Sequence, residues 1–251
     1  YGILLARLDR LPDTARLALK VASVMGRSFS LTLLQHVRLL EAHRAELAES
    51  LRLALLRDFV RIEASAEPGG DTGTESGTEA GIEAGDGTGD GLHLSIVAQS
   101  QSHSDRYYFR HNLIRDVVYN TLLDTQQRDL HEQVALALAD VQPRATEELA
   151  HHYYRSDTTR EPVRERAIFY LGAAARTAQS DYANETALTF FRRALELTED
   201  ADLLCRTVAV LHILGRREEE ADTLQRLDAF PKPGDEGREA EALAWEKARL
   251  W

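Results

Sequence analysis

Eleven residues near the end of the chain indicate how its second half folds: Ala187-Leu-Thr-Phe-Phe191-Arg-Arg-Ala194-Leu-Glu-Leu197. Ala187, Phe191 and Ala194 recur at intervals of four and three positions, so a small, an aromatic and a second small side chain share one face of a helix. An upstream set with helical spacing consists of Leu171, Ala174, Ala175 and Ala178. Together the two sets predict a pair of packed helices.

A second pair of helices is predicted downstream. Ala221 follows Ala187 at the period of about 34 residues that is typical of the tetratricopeptide repeat, which the small–aromatic–small spacing also resembles. Gln225 then stands where the first unit has Phe191, so the second unit is degenerate, and the number of repeats is left open. We expect a tetratricopeptide-like α-solenoid over residues 141–251 that binds protein partners.

The part of the chain before this solenoid combines predicted helices with a β-hairpin. Apolar spacing, a Pro near one start and a Ser cap at another predict helices over residues 12–25, 30–37 and 41–58. Period-two alternation predicts strands over 60–64 and 107–110. Further helical stripes are marked by Leu113, Val117 and Leu122 and by Leu130, Val134 and Leu138. Three helices followed by a hairpin is the order of a winged helix. We therefore predict a mainly α chain, with a winged-helix domain and flanking helices over residues 1–140.

An acidic, glycine-rich segment separates the two predicted strands. Between Glu67 and Gly91 there are seven acidic residues, no Lys or Arg and nine of the 15 glycines, so this segment carries most of the net charge of −11. Such a composition cannot bury a core, which predicts a disordered insertion over residues 66–105. Asp86–Gly91 resembles the start of a calcium loop, but Val97 stands where that loop requires a glutamate.

Composition excludes several classes of protein. The single cysteine, Cys205, rules out an internal disulfide framework and a multi-cysteine zinc site. No apolar run reaches the ~20 residues that span a bilayer, so we expect no membrane association and a cytoplasmic location. Because the chain starts at Tyr1 and its only methionine is Met25, we expect it to be a piece of a longer protein.

The motifs of common enzymes are missing from the sequence. It has no phosphate-binding loop, dinucleotide-binding glycine motif or nucleophile elbow. His131-Glu132 resembles half of a zinc-protease motif, but Ala135 replaces the second histidine. His151 and His152 point to two sides of a helix, because adjacent positions differ by ~100°. We therefore predict a chain that is not an enzyme and holds no metal or cofactor of its own.

The candidate binding residues lie where the second predicted strand meets a helix, in Phe109-Arg110-His111-Asn112. A histidine at such a junction can cap the helix through a ring nitrogen, or it can donate a hydrogen bond to an anion. Both roles for His111 remain open at this stage.

Four stretches together resemble the region that follows the nucleotide-binding domain in bacterial STAND ATPases: Leu4-Leu-Ala-Arg7-Leu-Asp9-Arg-Leu-Pro12, Ala22-Ser-Val-Met-Gly26-Arg-Ser-Phe29, Tyr108-Phe-Arg-His111 and Glu148-Leu-Ala-His-His152-Tyr. These AAA-related signalling ATPases are often fused to adenylate/guanylate cyclase domains or to LuxR-type transcriptional activators. The resemblance covers nearly the whole chain except the acidic insertion.

The resemblance implies a non-catalytic regulatory role next to an ATPase domain that binds ATP or ADP with Mg. In related ATPases a Met-His-Asp motif contacts the phosphate of ADP, and Arg110-His111-Asn112 stands in its place with two residues changed. It implies His111, with Arg110, as an ADP phosphate contact. The expected partners are the adjacent nucleotide-binding domain and proteins bound by the helical repeats.

A DNA-binding winged-helix regulator is the alternative. Residues 41–58 would then form the recognition helix, where Arg44, Arg52 and Arg57 face Glu41, Glu46, Glu49 and Asp58. A net charge of −1 has the wrong sign for phosphate contact, so DNA is the less favoured partner.

Overall fold

The computed structural model describes residues 2–63 and 106–230. The chain divides into two compact units: unit 1 comprises Tyr1–Gln35 and His43–Val118, and unit 2 comprises His36–Ala42 and Tyr119–Trp251. Residues 119–140, which the sequence analysis assigned to the first domain, thus belong to unit 2. The predicted insertion at 66–105 lies outside the described residues.

Unit 1 is built from short helices around a small sheet. Its elements are α1 (Gly2–Asp9), α2 (Asp13–Met25), β1 (Ser28–Ser30), α3 (Leu31–His36), α4 (Arg44–Leu56), β2 (Val60–Ile62), β3 (Arg106–Phe109) and α5 (Asn112–Tyr119). Helix α2 follows Pro12 and ends at Gly26, whose φ of 136° suits glycine. The predicted Ser30 cap is confirmed, because its Oγ accepts the Leu33 N–H at 2.9 Å.

Within residues 2–63 and 106–230, three antiparallel strands form a sheet in the order β1-β3-β2. The predicted pairing of β2 with β3 is confirmed, with Val60 opposite Phe109. Strand β1 was not anticipated, because Ser-Phe-Ser is too short to show alternation. Its Phe29 is buried, and its ring centroid lies 5.7 Å from that of Phe109, so the two aromatic rings anchor one face of the sheet in the core.

Two predicted stretches of unit 1 differ from the structure. The helix predicted over 41–58 begins only at Arg44, after a 3-10 helix at Arg38–His43, and ends at Leu56. Leu113 was predicted on a packed stripe with Val117, but its side chain is 58% exposed. Helix α5 buries Ile114, Val117 and Val118 instead, because this short helix turns a neighbouring face towards the core.

The described residues of unit 2 from Tyr119 onward form six consecutive α-helices, each packed against the next. They are α6 (Asp124–Val141), α7 (Thr146–Arg155), α8 (Glu161–Ser180), α9 (Asn184–Leu197), α10 (Ala201–Ile213) and α11 (Arg217–Asp228). The predicted packing residues of α8 and α9 are confirmed as buried: Leu171, Ala174, Ala175, Ala178, Ala187, Phe191 and Ala194.

The helix pairs α8–α9 and α10–α11 repeat at an interval one position shorter than predicted. The last residues of α8 and α10 are Ser180 and Ile213. The first residues of the helices that follow, Asn184 and Arg217, are the same number of positions apart. At this interval the buried residues of α8 coincide with buried residues of α10: Leu204, Cys205, Thr207, Val208 and Leu211. The predicted alignment of Ala221 with Ala187 is therefore wrong by one position, and Ala221 is exposed.

Candidate functional site

Arg110 and His111 form the connection between β3 and α5, at one end of the sheet. The Phe109 N–H donates to the carbonyl of Arg27 at 2.9 Å, and the Arg110 N–H donates to the carbonyl of Phe59 at 3.1 Å. The residues that precede β1 and β2 therefore lie beside the residues that follow β3. The antiparallel topology brings three chain segments together at this end.

The same end of the sheet carries several arginines. Arg110 forms an ion pair with Asp58, and Arg61 lies 3.8 Å from the other oxygen of that carboxylate. The guanidinium of Arg7 lies 5.2 Å from the centroid of the Phe59 ring and donates to the carbonyl of Arg57. We name Arg7, Arg57, Asp58, Arg110 and His111 the sheet-end cluster; with a neutral histidine its net charge is +2.

His111 presents an exposed ring at this cluster. Its backbone carbonyl accepts the Ile114 N–H at 2.9 Å, which closes the first turn of α5. In the part of the chain that the structure describes, its ring has no hydrogen-bond partner. Of the two roles left open for His111, the cap through a ring nitrogen is therefore absent from the described residues, where the turn is closed through the backbone. Beside the N-terminus of α5, an exposed imidazole and arginines can bind a phosphate-like anion.

The two units differ in charge. The described residues of unit 1 include twelve Lys or Arg and seven Asp or Glu, a net charge of +5. The described residues of unit 2 include fourteen basic and 21 acidic residues, a net charge of −7. The described residues around the sheet-end cluster are therefore net basic, whereas the acidic segment between Glu67 and Gly91, which falls within the same unit, lies outside the described residues.

Unit 2 has an open cleft of about 310 Å³ between α9, α10 and α11. Arg192 and Glu219 form an ion pair at this cleft, while Arg226 reaches Glu199 at 3.0 Å. Its floor includes the buried residues Thr207 and Leu211. A cleft that combines charged and polar side chains with Leu195 and Leu211 can accept an extended peptide segment.

A third group of functional side chains was missed by the sequence analysis. His131 of α6 and His152 of α7 are both buried, and their Nδ1 atoms lie 2.9 Å apart. His131 Nε2 lies 3.2 Å from the hydroxyl of Tyr119. The prediction that His151 and His152 point to different sides of the helix is confirmed, since His151 is exposed. No local motif could have paired His131 with His152, because they lie on different helices and far apart along the chain.

Burial lowers the pKa of His152 to about 3, and the charge of nearby His151 contributes to the same shift. This side chain is therefore neutral at physiological pH. Within residues 2–63 and 106–230, no group of three or more His, Cys, Asp or Glu side chains is arranged to hold a metal ion.

Comparison with protein-family models, with curated proteins and with solved structures found no match for this chain. None of the helices in the described ranges has both the length and the apolar character needed to cross a membrane.

Proposed function

We propose that the chain is a non-catalytic regulatory part of a STAND-type signalling ATPase. Unit 1 would respond to the nucleotide held by an adjacent ATPase domain, and unit 2 would bind partner proteins. The observation that carries this proposal is the exposed, positively charged junction at Arg110 and His111, at the position where related ATPases contact the phosphate of ADP.

The order of elements in unit 1 supports its assignment as a winged helix. A helix, a short strand, two helices and a β-hairpin follow one another in α2, β1, α3, α4 and the β2–β3 pair. The first strand joins the hairpin in one antiparallel sheet. Winged helices combine the same elements in this order.

The helix pairs of unit 2 support its assignment as a tetratricopeptide-like arm. Their interval is one position shorter than the tetratricopeptide period of about 34 residues. Small residues on α8 and α9 are buried between the helices, among them Ala174, Ala187 and Ala194. The cleft between α9 and α11 offers a surface for the expected protein partner.

The regulatory mechanism follows from a two-state element that ligands bias. ATP or ADP, with Mg, would occupy the adjacent ATPase domain, and His111 and Arg110 would contact a phosphate from the side of unit 1. The ADP state then holds unit 1 closed. Partner binding to unit 2 favours the open state.

Nucleotide exchange by the full-length protein tests this proposal. We expect His111→Ala to release ADP faster than the wild type, because a donor to the phosphate is lost. Arg61→Ala is the matched control, since Arg61 also faces Asp58 but lies on β2, away from His111. Unchanged ADP retention in His111→Ala would contradict the sensing role.

Calorimetry on the isolated chain provides a second test. The chain lacks a phosphate-binding loop, so we expect no micromolar affinity for ATP or ADP. Micromolar binding by the isolated chain would show that it holds the nucleotide itself.

DNA binding by unit 1 is the second candidate function. The net charge of +5 of its described residues favours it, while the seven acidic residues between Glu67 and Gly91 in the same unit oppose it. Helix α4 would be the recognition helix. Two of its arginines already have partners, since Arg44 donates to the Gln35 carbonyl at 2.7 Å and Arg52 to Glu49 at 3.0 Å. A gel shift at low micromolar protein that weakens steeply with salt would support DNA binding over nucleotide sensing.

A further inference from the structure

Tyr119, His131 and His152 form a hydrogen-bonded chain that links the end of α5 with α6 and α7. The hydroxyl of Tyr119 lies 3.2 Å from His131 Nε2, and His131 Nδ1 lies 2.9 Å from His152 Nδ1. The side chains of His131 and His152 are 2% and 4% exposed. Helix α7 ends at Arg155, and the Oγ of the next residue, Ser156, donates to the carbonyl of His152 at 2.7 Å.

The contact between the two Nδ1 atoms restricts the protonation of both rings. A hydrogen bond at 2.9 Å requires one Nδ1 to carry a hydrogen and the other to be bare. One extra proton can bind to Nε2 of the ring that donates through Nδ1, but it places a charge in the buried interior. A second extra proton puts hydrogens on both Nδ1 atoms, so the bond breaks.

Burial of His152 favours its neutral form. Helix α7 packs against α6 and α8. The titratable groups that face the pair include Tyr119 on α5 and His151 on α7, whose ring centroid lies 5.7 Å from that of His131 and 5.3 Å from that of His152. Other charged groups on these helices include Glu132, which is paired with Arg160, and Arg166, which lies 6.0 Å from the Tyr153 ring centroid.

We propose that the Tyr119–His131–His152 chain is a protonation-sensitive clasp, which holds α7 and Tyr119 on α6 at neutral pH and stabilises unit 2 less on mild acidification. This inference goes beyond nucleotide sensing and partner binding, and it involves only residues of unit 2.

The direction and size of the pH effect follow from linkage. His152 has a folded pKa of about 3, below the 6.5 of the free side chain, so the unfolded state binds the proton more tightly. Its contribution to stability is complete above pH 6.5 and falls as the pH decreases towards 3. Between pH 7.5 and 5.0 the folding equilibrium constant of unit 2 should fall about 30-fold through this one group.

Urea unfolding of the whole chain at pH 7.5 and 5.0 tests the clasp. The variant is His152→Asn, because the amide of asparagine reaches about the position of Nδ1 but does not titrate. We expect it to lose the roughly 30-fold pH effect that the wild type shows. The control His43→Asn removes a half-exposed histidine of unit 1 and should keep the effect. An equal pH effect in wild type and His152→Asn would overturn the proposal.

Histidine nitrogen NMR on the wild type gives a test that needs no variant. At pH 7.5 we expect one ring of the pair to carry its hydrogen on Nδ1 and the other on Nε2, and Tyr119→Phe to shift the His131 signals. Two rings with bare Nδ1 atoms would contradict the clasp. Thermal stabilisation by equimolar zinc that disappears in His152→Asn would also overturn it, since the pair would then be a metal site.

Discussion

The turns after α8 and α10 allow a reciprocal test of the repeat register. Tyr182 has φ of 60° and Gly215 has φ of 71°. In both turns the N–H of this positive-φ residue donates to the carbonyl three positions earlier in the chain. The N–H of the next residue donates to the carbonyl five positions earlier, from Ala183 to Ala178 at 2.8 Å and from Arg216 to Leu211 at 3.0 Å. This is the glycine-type end of a helix, and Tyr182 occupies a position where glycine is preferred.

Tyr182→Gly should therefore stabilise unit 2. A residue with a Cβ in the left-handed region costs about 1–2 kcal/mol, while glycine costs about 0.4–1 kcal/mol in the entropy of the unfolded chain. The Tyr182 side chain is 88% exposed, so its removal loses little packing. The free energy of unfolding should rise by about 0.5–1 kcal/mol. Gly215→Ala should lower it by about 1 kcal/mol through backbone strain alone, because a Cβ there meets no atom within 4 Å.

Urea unfolding followed by circular dichroism measures both changes, with two transitions allowed for the two units. Tyr182→Ala is the matched control, because it removes the same side chain but keeps a Cβ at positive φ. It should change the free energy of unfolding by less than about 0.5 kcal/mol. If Tyr182→Gly is no more stable than Tyr182→Ala, the two turns are not equivalent and the repeat register is wrong.

Three further predictions use buried or strained positions. Phe191→Ala should lower the free energy of unfolding of unit 2 by about 3–5 kcal/mol in urea, because the ring is buried. Its control, Phe169→Ala, removes a 65% exposed ring and should change that free energy by less than about 0.5 kcal/mol. Equal losses for the two variants would contradict the packing of α9. Gly26→Ala should lower the stability of unit 1 by about 1–3 kcal/mol, because φ of 136° is strained for any other residue; an unchanged urea midpoint would refute the strain. Burial raises the pKa of the Cys205 thiol from 9.0 to about 11. Iodoacetamide at pH 8, followed by mass spectrometry, should therefore label it about 100-fold more slowly than a free cysteine until urea unfolds the chain. Rapid labelling of the native chain would contradict its burial.

Local patterns predicted most of the helices and one strand pair. Stripes such as Leu171, Ala174 and Ala178 are visible in sequence because burial repeats with the helical period. Strand β1 was missed because its three residues are too few to show a period. Leu113 was expected on the buried stripe, but α5 buries Ile114, Val117 and Val118, so its buried face lies beside the one that was predicted.

The candidate sites were less predictable than the helices, because they depend on contacts between elements. Arg110 and His111 were found from their place between a strand and a helix. Asp58, the ion-pair partner of Arg110, was not found, since only the sheet brings the two chain segments together. The pairing of His131 with His152 likewise requires the packing of α6 on α7, and neither residue lies in a motif that predicts it.

The sizes of the electrostatic effects suggest which feature could regulate the chain. The Arg110–Asp58 pair is 36% and 52% exposed on its two sides, and such pairs contribute about 0–1 kcal/mol, less than about sixfold in an equilibrium. That pair alone is too weak to hold a switch. The buried histidines are different, because protonation changes the folding constant of unit 2 by about 30-fold, within the roughly 5–150-fold range of typical allosteric coupling. Since His111 and His152 lie in different units, His111→Ala and His152→Asn test the two proposals independently.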